Sequence, residues 1–116
     1  DLDPLGHVNN SVYLVYAEEA RFRLLRNALS EMWAMTVVVN NSIDYHSPAE
    51  ADDSLVITTT VDSIGTSSFT TTSRIATDDG RLCAMVRTVQ VVLREDRNGT
   101  RPWTDDERRG LEELAE

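Results

Sequence analysis

A chain of 116 residues, 41% hydrophobic and 27% charged, has the size and composition of one globular domain, with a core small enough that oligomerisation would help it. The formal net charge is −9 and all basic residues are arginine, which argues against nucleic acid as the main partner. Cys83 is the single cysteine, so no intrachain disulfide can form and a reducing, cytoplasmic compartment is expected. No apolar run approaches the length of a membrane span, no signal peptide is visible, and no membrane partner is expected.

The opening segment, Asp1-Leu-Asp-Pro-Leu-Gly-His-Val-Asn-Asn10, concentrates two carboxylates, one histidine and two carboxamides ahead of a long amphipathic stretch. A carboxylate set by a tight turn beside a helix start can act as a base. The charge that develops on its substrate would be held by free backbone N–H groups at that helix start. Ser11 or Asn10 is a suitable N-cap, and the spacing predicts a helix from Val12 to about Leu29. Tyr13, Tyr16 or Ala17, Ala20, Leu24 and Ala28 recur every three or four residues and would share its apolar face.

The period then changes. Thr36 to His46, Leu55 to Ile64, Ser68 to Thr77 and Leu82 to Leu93 are rich in Val, Ile and Thr and read as four strands. In the first, Val37, Val39, Ile43 and Tyr45 share one parity, with Asn41 as the polar exception. Gly65 and Asp79-Gly80 mark hairpin turns. Beyond Arg94 the chain is polar and turn-rich. Thr104-Asp-Asp-Glu107 opens a short helix with a capping box, whose Leu111 and Leu114 give it a narrow apolar edge on an otherwise solvated element. The expected division is 1–95 as the domain and 96–116 as a polar C-terminal extension. One long helix and four antiparallel strands make an α+β layer arrangement, its uncovered face or edge calling for a homo-oligomer.

The run Asp1-Leu-Asp3-Pro-Leu-Gly6-His7-Val-Asn9-Asn10-Ser-Val-Tyr13, followed by Glu18-Glu19-Ala20-Arg21, resembles the 4-hydroxybenzoyl-CoA thioesterase family of hotdog-fold proteins. Ile43-Asp-Tyr-His-Ser-Pro-Ala49, Ser67-Ser68-Phe69 and Asp79-Gly80-Arg81 extend the likeness to about Leu93. The resemblance implies a hotdog fold, a long helix packed on a curved antiparallel sheet, in a homodimer or homotetramer with active sites at the subunit interface. The family carries a strand ahead of the motif, and the expectation is that this first strand is lacking here.

By resemblance, Asp3 is the catalytic general base or nucleophile, and the backbone N–H of Asn10 polarises the thioester carbonyl. His7, Asn9, Tyr13, Glu19, Ser67 and Ser68 are the candidate substrate contacts. The implied substrate is an acyl-CoA or acyl-carrier-protein thioester, with no metal and no organic cofactor. Simpler roles stand beside these: Asp3 as cap of the Pro4–Gly6 turn, His7 as a structural hydrogen-bonding group, Tyr13 as core. The family's archetype holds the CoA phosphates with basic side chains just before the Ser-Phe step. Here Gly65, Thr66 and Ser67 stand in that place, so the charge would have to come from Arg74, Arg87, Arg94 or elsewhere, the other subunit included. That departure keeps a non-catalytic acyl-thioester binding module as the alternative. A hotdog hydratase or dehydratase would need a histidine with an acidic partner, and neither His7 nor His46 lies in such a motif.

Overall fold

The structure, a computed structural model, describes residues 10–29, 35–50 and 52–115. Helix α1 spans Asn10–Leu29, strands β1 to β4 span Thr36–Tyr45, Leu55–Ile64, Ser68–Thr77 and Leu82–Val92, and helix α2 spans Asp105–Ala115. No glycine or proline interrupts α1, and the Thr- and Val-rich runs favour the extended backbone of β2 to β4. All strand pairs are antiparallel, in the order β1-β4-β3-β2. β2 and β3 meet through Gly65, whose N–H donates to the Ser68 carbonyl at 2.8 Å. β3 and β4 meet through Asp79-Gly80, where Gly80 takes the left-handed φ of 97° that the turn needs.

α1 lies on the sheet face that carries Phe69, Ile75, Ala84 and Val86. Its buried line is Tyr13, Ala17, Arg21 and Leu25, at a spacing of four. This shifts the expected face by about one residue: Leu24 and Ala20 are only half-buried, and a charged residue occupies the centre of the contact. The apolar residues form two clusters. Tyr13, Ala17, Ala49, Ile75, Ala84 and Val86 pack at one end of α1. Leu25, Val61, Phe69, Val92, Trp103 and Leu111 pack at the other.

β1 departs from simple alternation. Its pairing with β4 steps from Val38↔Gln90 to Asn40↔Val89, so Val39 is an extra, unpaired residue and is exposed. The bulge resets the parity, and Asn41, opposite Thr88, turns toward the α1 side, where its carboxamide accepts from the Thr88 hydroxyl at 2.7 Å.

The C-terminal segment is tied into this body. Thr104 and Glu107 form the reciprocal capping box, with Glu107 N–H to Thr104 Oγ1 at 3.2 Å and Thr104 N–H to Glu107 Oε1 at 2.8 Å. Arg101 grips the same carboxylate through both nitrogens, at 2.8 and 2.9 Å, and holds its pKa below the usual carboxylate value. The Trp103 ring meets that of Phe69 at a tilt of 53° with centroids 5.8 Å apart, and Leu111 is fully buried. The solvated helix read from sequence therefore has a closed inner side.

Candidate active site

Asp3, His7 and Asn9 lie outside the described residues. Asn10 is the first residue of α1. By helix geometry the N–H groups of that first turn have no partner within the helix and carry the positive end of its dipole. Amides in such a position can donate to a developing oxyanion.

Tyr13, one turn further on, is 2% exposed. Its hydroxyl accepts a hydrogen bond from the Ala49 N–H at 3.2 Å, and its ring lies 6.1 Å from that of Tyr45. Burial raises its phenol pKa, so it stays neutral at physiological pH. The Tyr45-His46-Ser-Pro-Ala49 turn is thereby pinned to the start of α1. Its other end is held by His46 N–H donating to the Cys83 carbonyl at 2.9 Å and Ser47 Oγ donating to the Leu82 carbonyl at 2.7 Å. Cys83 is buried and free.

Glu19 is exposed and lines a groove of about 470 Å³ between α1 and β2, with Tyr16, Ala20, Arg23 and Leu24 on the helix side and Leu55, Ile57 and Thr59 on the strand side. Glu19 and Arg23 are the charged residues of its lining.

Ser67 and Ser68 occupy the β2–β3 turn at the opposite end of the molecule. The turn's carbonyls are engaged by the C-terminal segment. Trp103 donates from its backbone N–H to Thr66 O at 3.0 Å and from Nε1 to Ser68 O at 3.1 Å, and Arg108 donates to Gly65 O at 2.7 Å. Arg108 is thus the guanidinium that reaches this turn. Arg74 and Arg87 point to the sheet face away from α1, and Arg94 pairs with Asp96 at 3.1 Å. Nothing in the local pattern around Arg108 signalled this; its partner is 43 residues away.

Within one chain, Tyr13 and Ser67-Ser68 lie toward opposite ends of α1. Tyr13 belongs to the cluster at one end of α1, whereas Ser68 leads into Phe69, which packs on Leu25 at the other. The twelve residue steps from Tyr13 to Leu25 span about 18 Å of helix. Among the described residues no group of three or more His, Cys, Asp or Glu side chains is placed to hold a metal ion.

A long helix laid across an antiparallel sheet in this strand order, with the helix start presented at one end, defines a hotdog domain. The chain belongs to the Thioesterase superfamily, whose family profile matches residues 5–84. Over 62 residues it is 45% identical to the long-chain acyl-CoA thioesterase FadM of Escherichia coli, a match covering 49% of this chain and 47% of that enzyme, so the chain spans about half of that relative's length. Among solved structures it resembles a thioesterase complexed with coenzyme A and Zn from Thermus thermophilus, with a TM-score of 0.88, 30% identity, and 99% of this chain and 86% of the other covered. A predicted thioesterase from Bacillus stearothermophilus also superposes at a TM-score of 0.88, with 26% identity over 98% of this chain and 87% of that one.

Proposed function

We propose that the protein hydrolyses the thioester of an acyl-CoA, or of an acyl-carrier protein, in the manner of the 4-hydroxybenzoyl-CoA thioesterase family. Asp3 takes a proton from water, the water oxygen bonds to the thioester carbon, and the carbonyl electrons move onto oxygen. The α1 N-terminus, at Asn10, stabilises that oxyanion. Collapse of the adduct breaks the C–S bond and leaves a carboxylic acid and the thiol of CoA. In the variant with Asp3 as nucleophile, its carboxylate attacks first and water then cleaves the mixed anhydride.

What supports this reading is the start of α1 at Asn10, seven residues after Asp3 in sequence, because the amides of a helix's first turn lie at the positive end of its dipole. A donor of this type is worth on the order of 100-fold in rate. The separation of Tyr13 from Ser67 and Ser68 supports an active site shared between two subunits. β1 offers a strand for such assembly, with exposed Val38, Val39 and Tyr45 along an edge that pairs with no other described strand. Arg108, standing on the β2–β3 turn, is the nearest substitute for the basic side chains that the family places there. No helix of the described residues is long and apolar enough to cross a membrane, and a buried free thiol suits the cytoplasm.

The test pairs turnover with binding across acyl-CoAs of varied chain length and aromatic character. Saturable release of free CoA thiol is the expected result. Tight binding of the same esters without thiol release would replace the hydrolase by a binding module.

A further inference from the structure

The core under α1 is interrupted. Between its two apolar clusters each element contributes a polar side chain: Arg21 from α1, Asn41 from β1, Thr59 from β2, Thr71 and Ser73 from β3, and Thr88 from β4. Thr59 and Ser73 satisfy each other at 2.8 Å. Arg21 is 3% exposed, and its Nη1 donates to Thr88 Oγ1 at 3.0 Å; the same hydroxyl donates onward to Asn41 Oδ1 at 2.7 Å. Among the described residues, Arg21 Nε and Thr71 Oγ1 are buried without a partner. Burial lowers the guanidinium's pKa, with Glu18 opposing that shift from the preceding turn.

This arrangement is a poor source of stability, because the desolvation of a buried guanidinium exceeds what a few hydroxyl contacts return. A methionine of similar length would merge the two clusters. The polar layer does, however, select a position. A slide of α1 by one turn, about 5.4 Å, would lay Ala17 or Leu25 over the threonines and carry the guanidinium off Thr88. Apolar contacts are non-directional and discriminate such settings less sharply than a directed hydrogen bond does.

We propose that Arg21 is a positioning residue: through Thr88 and Asn41 it locks α1 at one axial setting over the sheet and so fixes the helix N-terminus where the thioester carbonyl is polarised. The second half of this statement rests on the proposed hydrolase activity; the first does not.

The experiment compares Arg21→Met, Arg21→Lys and Thr88→Val with the unaltered protein. The readouts are thermal midpoint, kcat and KM for the best acyl-CoA, and hydrogen exchange of the α1 amides of residues 14–17. Arg21→Met is expected to melt at the same or a higher temperature, to lose at least tenfold in kcat with KM within twofold, and to exchange those amides at least tenfold faster. Thr88→Val, which keeps the charge and removes its acceptor, reproduces the kcat loss, and Arg21→Lys recovers part of it. Unchanged kcat in both Arg21→Met and Thr88→Val, or a kcat loss that only tracks a lowered midpoint, overturns the proposal. If the unaltered protein hydrolyses no acyl-CoA, the activity reading falls. The exchange comparison then decides the lock alone: faster exchange upholds it and unchanged exchange ends it.

Discussion

Truncating Trp103 to alanine should be the most damaging single change outside the site. The indole is 6% exposed and packs with Leu25, Val61, Phe69, Val92 and Leu111. Removing an aromatic side chain from such a setting costs about 3–5 kcal/mol, most of it lost burial and the cavity left behind. The Phe69 ring contact is worth about 1 kcal/mol of that total. The lost Nε1 bond adds little, because the Ser68 carbonyl still accepts from Gly65. The net expectation is about 4 kcal/mol, which for a domain of this size lowers the melting temperature by about 15 °C. Urea titration followed by circular dichroism measures it. The urea slope should also fall, since α2 anchors through the same cluster and would leave part of its surface exposed in the native state. A loss below about 1 kcal/mol at an unchanged slope would refute the reasoning and make 96–116 an appendage.

Tyr13→Phe keeps the ring and orphans the buried Ala49 N–H, and should cost about 1–3 kcal/mol, read as a lowered urea midpoint. Glu107 has a folded pKa depressed by Arg101, so its contribution is present above its unfolded pKa and is lost as pH falls through the depressed folded value. Stability should therefore decline from pH 6 to pH 3 by about 1 kcal/mol more in the unaltered protein than in Glu107→Gln. Parallel curves would remove that pair from the account.

The strands were legible because alternating Val, Ile and Thr runs end at Gly65 and Asp79-Gly80, and turn chemistry is local. The capping box at Thr104 was legible for the same reason. What stayed hidden is long-range. Arg21 reads as a surface charge in any window of the helix, and only the threonines of β3 and β4 make its inward position tolerable. Val39 counts as inward until the bulge shifts the register, and that shift depends on β4. Trp103 precedes α2 and so is absent from its helical pattern, although it does most to dock it. The site divides in the same way. The helix start at Asn10 could be read directly, because capping and periodicity are local signals. That Tyr13 and Ser67-Ser68 fall at opposite ends of one chain follows from the direction of α1 across the sheet, which no local pattern encodes.

The central claim is that this chain cleaves thioesters with Asp3 as base or nucleophile. The most direct measurement is release of CoA thiol from an acyl-CoA substrate by the unaltered protein and by Asp3→Asn, at equal concentration of folded protein. The account predicts steady turnover by the former and a fall of at least 100-fold in kcat in the latter, with comparable substrate binding. Equal turnover by the two proteins would contradict it.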